Sequence, residues 1–93
     1  MYQVEIIITG IVQGVNYRYN TREVARKLGL TGWVKNMPDG SVKIIIQGKK
    51  KEIDKFIKWC QRGSELSKVE NVDVSWIELE KEADLYKSFE IEY

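Results

Sequence analysis

Near the start of the chain, Val4, Ile6 and Ile8 alternate with Glu5 and Thr9. A period of two marks a strand with one buried face, so a first strand is expected over residues 2–9. Val24, Ala25 and Leu28 then recur at helical spacing. They predict a helix that begins at Tyr17 or Thr21, capped by Asn20 or Thr21, and stops at Gly29. Val24 and Leu28 should face the sheet, and Arg22, Glu23, Arg26 and Lys27 should face water. Gly32 to Asn36 read as a second strand, and Met37-Pro38-Asp39-Gly40 as a tight turn. Ser41 to Gln47 read as a third strand, with Val42, Ile44 and Ile46 inside and Lys43, Ile45 and Gln47 outside.

A second helix is expected from Lys50 to Arg62, because Ile53, Phe56, Ile57 and Cys60 form an apolar stripe. Residues 63–67 read as a loop. Val69 opens a fourth strand in which Val72, Val74 and Trp76 should point inward. The Val69-to-Val72 spacing breaks the two-residue period and suggests a bulge or a strand that starts late. Residues 81–85 read as polar loop, and Phe89, Ile91 and Tyr93 alternate in a terminal strand. The order β-α-β-β-α-β plus a fifth strand predicts an α+β, ferredoxin-like sandwich, an antiparallel sheet covered on one face by two helices. Such a fold names no function by itself.

Composition narrows the classes. The 93 residues suit one domain, 1–93, with one core. A net charge of +1 gives no global pull toward nucleic acid or an anionic membrane. No apolar run approaches the roughly 20 residues of a membrane span. The N-terminus lacks the basic-then-apolar pattern of a signal peptide, so a cytoplasmic location is expected. There is one cysteine, Cys60, and no histidine. Cys60 lies on an apolar stripe and reads as a small buried hydrophobe. The missing histidine removes the commonest general base and every Ser-His or Cys-His nucleophile.

The stretch Gly10-Ile-Val-Gln-Gly-Val-Asn-Tyr-Arg18 joins the first strand to the first helix. A loop of this kind turns backbone N–H groups toward one point, and the helix N-terminus adds positive potential. Arg18 supplies a guanidinium that matches phosphate oxygens two at a time. The loop therefore reads first as a phosphate holder, with an ordinary glycine turn carrying a surface arginine as the plainer alternative, and Tyr17 as a packing residue at the helix start.

That segment resembles the first signature of the acylphosphatase family, and Gly32-Trp-Val-Lys-Asn-Met-Pro-Asp-Gly-Ser-Val42 through Gly48 resembles the second. The Ala25-to-Leu30 helix end and the Phe-x-Ile-x-Tyr ending are similar too, so the likeness covers essentially the whole chain. The resemblance implies hydrolysis of the carboxyl-phosphate anhydride of acyl phosphates, with no cofactor and no metal. It implies that Arg18 and the amides of Gln13, Gly14, Val15, Asn16 and Tyr17 bind the phosphoryl group, while Asn36 orients the attacking water. The implied partners are a small acyl phosphate and inorganic phosphate, with no nucleic acid or membrane, and a monomer is expected. Asn16 departs from the family's usual glycine, and Gly63-Ser64 replaces its usual Gly-Pro. Two other readings stand beside this one: a non-catalytic phosphate or carbamoyl-phosphate binding module, and an RNA-binding sheet. The second would need exposed aromatics on the central strands.

Overall fold

The computed structural model describes residues 1–80 and 83–93; of the polar loop expected at 81–85, residues 81 and 82 lie outside them. Strand β1 (Tyr2–Ile11) leads into helix α1 (Tyr17–Lys27), then β2 (Thr31–Asn36) and β3 (Val42–Gly48) form a hairpin. Helix α2 (Lys50–Arg62), β4 (Lys68–Glu78) and β5 (Phe89–Glu92) follow. The sheet order is β4-β1-β3-β2-β5. The expected antiparallel pairing joins the first four strands. Strand β5 adds parallel to β2, with Gly32 opposite Phe89, so the whole sheet is mixed. Ferredoxin-like order, two helices and a C-terminal fifth strand are as the periodicity predicts.

Val4, Ile6 and Ile8 of β1 are fully buried, as are Ile44 and Ile46 of β3 and Val34 of β2. They meet Ala25 of α1 and Ile53, Phe56 and Cys60 of α2 in one core. Each such side chain contributes roughly 2 kcal/mol on leaving water, which is why the sheet's alternation dictates its register. The predicted break in β4 is present. Thr9 pairs with Asn71 but Gly10 pairs with Val69, so Glu70 is the extra residue of a bulge. The bulge lies at the end of β1 that feeds the loop.

Four expectations are corrected. Helix α1 buries Tyr17, Thr21 and Ala25, while Val24 and Leu28 are only partly covered. The buried row is set one residue round from the predicted one, anchored by Tyr17, whose hydroxyl donates to the Cys60 carbonyl of α2. Its N-cap is Asn16, not Asn20 or Thr21, and the Asn16 side chain makes no capping bond. Trp76, on the edge strand β4, is 39% exposed, with the Lys50 ammonium at the start of α2 5.6 Å over its ring. The same ring meets Tyr2 edge-on at 5.7 Å. Ile45 and Gln47, expected to face water, are buried on the opposite face. There Gln47 donates to the Asp84 carbonyl and accepts from the Tyr86 amide, so the segment before β5 covers Gln47.

The helix ends as predicted. The amide of Gly29 donates to Arg26 and that of Leu30 to Ala25, the crossed pair of a Schellman turn. No helix among the described residues is long and apolar enough to cross a membrane.

Gly32 carries the tightest backbone approach in the hairpin. A Cβ there would lie 1.9 Å from the Ile45 carbonyl oxygen at φ +138°. Gly40 also has positive φ, +94°, but faces open space. Gly32→Ala should therefore destabilise the fold by about 3 kcal/mol or more in urea melts, and Gly40→Ala by only about 1 kcal/mol of backbone strain. Equal losses would show that strain alone, not the clash, matters.

Candidate active site

Between β1 and α1 the chain turns through residues 12–16, and two of them take left-handed conformations: Gly14 (φ 74°) and Asn16 (φ 62°). Asparagine tolerates this region better than most residues, so Asn16 keeps the loop in shape where the family usually has glycine. The first backbone bond of α1 runs from the Asn20 amide to the Asn16 carbonyl, 3.1 Å. The amides of Tyr17, Arg18 and Tyr19 precede it, and the first turn holds no acidic residue. These donors and the positive end of the helix dipole are left for an anion.

The loop is fixed from both sides. Gln13 Nε2 donates to the carbonyl oxygens of Met37 and Ser41, each at 2.8 Å. This ties the loop to the β2–β3 turn, immediately beside Asn36. On the other side, Ser64 Oγ donates to the Val15 carbonyl at 3.2 Å. Tyr17 is buried and its hydroxyl donates to the Cys60 carbonyl at 3.0 Å. Burial, with the Cys60 thiol beside it, drives the Tyr17 pKa upward, and burial drives that of Cys60 upward as well. Both stay protonated and unreactive, in keeping with the packing roles expected of them.

A cleft of about 400 Å³ opens where this loop meets the ends of β2 and β5. Gly14, Asn16, Tyr17 and Arg18 line it together with Asn36, so the two halves of the predicted site share one space. The side chains of Gln13 and Val15 serve the scaffold instead, one as a clamp and the other against the core. Arg18 lies 5.0 Å over the Tyr93 ring, and its Nη1 donates to the Glu92 carbonyl at 3.5 Å. No carboxylate among the described residues pairs with it. Asn36 ends β2, and its Oδ1 is buried without a hydrogen-bond partner among the described residues. A buried acceptor left unpaired is costly unless something else supplies a donor.

The sequence reading missed several of the lining residues. Ile91 and Tyr93 reach the cleft because β5 pairs beside β2, which no local pattern reveals. Tyr93, expected within the terminal strand, lies just beyond β5, is 89% exposed and stands under Arg18 at the rim. Arg22 was expected in solvent but also lines the cleft. Its position four residues after Arg18 was the available signal, since i and i+4 share a helix face. Further along, Arg26 pairs with Glu90 at 3.2 Å. The Ser88 hydroxyl, followed by the charges of Arg26 and Arg22, holds the Glu90 carboxyl below its usual range. Among the described residues, no cluster of three or more Cys, Asp or Glu could hold a metal ion.

Free amides, an unpaired guanidinium and an open amide oxygen around one small space make an anion-binding cleft on a ferredoxin-like sandwich. The acylphosphatase family pattern matches residues 4–91. The chain is 45% identical over 93 residues to the acylphosphatase of Archaeoglobus fulgidus, covering all of both chains. It is 44% identical over 85 residues to that of Acaryochloris marina, covering 91% of this chain and 87% of the relative. Its structure superimposes on the crystal structure of acylphosphatase from Bacillus subtilis with a TM-score of 0.92, at 36% identity and full coverage of both chains. The chain belongs to the acylphosphatase family of hydrolases.

The left-handed Asn16 gives a direct check on the loop. Asn16→Ala should lower stability by about 1 kcal/mol in urea melts, and Asn16→Gly should not. A larger loss for glycine than for alanine would mean that the Asn16 side chain, not its backbone, supports the loop.

Proposed function

We propose that this acylphosphatase-family enzyme hydrolyses acyl phosphates to a carboxylate and inorganic phosphate, with Arg18 and the loop amides holding the phosphoryl group and Asn36 placing the water. The observation that carries the assignment is the unpartnered Asn36 Oδ1 in the same cleft as the unpaired Arg18 and the uncapped start of α1. A phosphoryl group seated at the helix start receives N–H donors from the loop and the first turn, and a fork of donors from Arg18. Asn36 Oδ1 then accepts one hydrogen of a water, which turns the water's lone pair toward phosphorus.

Phosphoryl transfer proceeds through a loose transition state, so catalysis is positioning and charge stabilisation rather than strong base chemistry. The leaving group is a carboxylate, which departs without a general acid. The water's proton passes to an oxygen of the phosphoryl group. A cleft without histidine is sufficient for every step. Gln13 keeps the two halves in register by holding the loop to the turn that follows Asn36.

The test is hydrolysis of benzoyl phosphate in the presence of a chelator. Arg18→Ala should lower kcat/KM by about a thousandfold or more and abolish inhibition by inorganic phosphate. Asn36→Ala should lower kcat by about a hundredfold while leaving phosphate inhibition largely in place. Loss of phosphate inhibition in Asn36→Ala would make it a ligand of the phosphoryl group instead. No turnover by the wild type, with phosphate still raising its melting temperature, would leave an anion-binding module.

A further inference from the structure

Helix α1 carries three arginines at a four-residue spacing, Arg18, Arg22 and Arg26, along the flank that faces β5. The outer two have partners on β5 and at the chain's end. Arg26 Nε donates to the Phe89 carbonyl at 3.2 Å and its guanidinium pairs with Glu90. Arg18 reaches the Glu92 carbonyl and the Tyr93 ring. Arg22 stands between them and lines the cleft that holds Arg18 and Asn36. Its Nε is buried with no hydrogen-bond partner among the described residues. The Glu23 carboxylate lies 3.5 Å away, a charge contact without hydrogen-bond geometry, and its side chain is 44% exposed. The Tyr19 ring, 5.3 Å from the guanidinium carbon, limits where Arg22 can go.

A cation held in this way, with a dry and unused donor, is poised for an anion inside the cleft. It is one helical turn from Arg18, about 6 Å along the axis. If the phosphoryl group occupies the loop and Arg18, as proposed above, its oxygens already have donors there, and the charge left for Arg22 is one on the acyl group. We infer that Arg22 recognises a carboxylate on the acyl chain, so that the enzyme selects acyl phosphates of short dicarboxylic acids over those of neutral acids. Arg22 is then a specificity residue that acts on the substrate end remote from the reacting phosphorus. This inference rests on the acyl phosphatase reading of the cleft and adds the substrate class.

Succinyl phosphate and butyryl phosphate test it, because they match in chain length and differ in the terminal carboxylate. Wild type should show kcat/KM about ten- to a hundredfold higher for succinyl phosphate, the worth of one charged hydrogen bond. Arg22→Gln should collapse that ratio to near one, and Arg22→Lys should restore part of it. The advantage of succinyl phosphate should also shrink as salt rises, more steeply in wild type than in Arg22→Gln. A ratio unchanged by Arg22→Gln overturns the inference and leaves the hydrolase reading intact. So does an equal loss on both substrates with loss of phosphate inhibition, which would make Arg22 a second phosphoryl ligand. Failure of wild type to hydrolyse either compound overturns the hydrolase reading and the Arg22 assignment with it.

Discussion

One side-chain amide holds the two halves of the site together. Gln13 spends both Nε2 hydrogens on the carbonyls of Met37 and Ser41, which lie on the two sides of the β2–β3 turn. Those carbonyls are separated from Gln13 by 24 and 28 residues, so no local force would bring them to the loop. The turn is itself closed, since the Met37 amide donates to Ser41, and Asp39 accepts from the Ser41 amide and hydroxyl. The loop thereby rests on a firm surface, and Asn36 sits at the edge of that surface. Ser64 holds Val15 from the opposite side. What remains free is the side of the loop that faces the cleft.

Helix α1 divides its circumference between two tasks. Tyr17, Thr21 and Ala25 face the core, and Thr21 Oγ1 folds back to the Tyr17 carbonyl so that its burial leaves no donor unmet. The neighbouring flank carries the three arginines toward β5. Strand β5 supplies carbonyl oxygens to two of them and Tyr93, just beyond it, places its ring against one, so the chain's last residues order the cationic side of the cleft. The core fixes the helix, the helix fixes the spacing of the guanidinium groups, and the last strand limits their directions. A rigid element carrying the charged groups is what positional catalysis needs, since misplacement of a charge by an ångström weakens every contact it makes.

Much was legible from local chemistry. The period-two pattern of Val4, Ile6 and Ile8 and the stripe of Ile53, Phe56 and Cys60 are commitments a chain makes within a few residues, because only one pairing of faces buries them. The bulge in β4 was visible as an extra residue between Val69 and Val72. Gly10, Gly14 and Arg18 suggested an anion loop, and it was the pairing of that stretch with the second signature, Gly32 to Gly48, that separated it from an ordinary glycine turn. Pro38, Asp39 and Gly40 announced the turn that places Asn36 at a strand end.

The tertiary structure decided everything that depends on which strand lies beside which. Tyr93 and Ile91 enter the cleft only because β5 pairs parallel with β2 at the sheet edge. Gln47 is buried where the segment before β5 meets it, through the Asp84 carbonyl and the Tyr86 amide. Arg22 looks like any solvated helix residue until Arg18 is seen to point into a shared cleft. The sequence by itself determined the elements, the turn chemistry and the residue types of the site, since these follow from forces acting over a few neighbours. Which carbonyls Gln13 would bridge, which acceptor would be left open on Asn36 and which arginine Nε would be left without a hydrogen bond among the described residues followed from packing between distant segments, where burial and hydrogen-bond satisfaction are settled together.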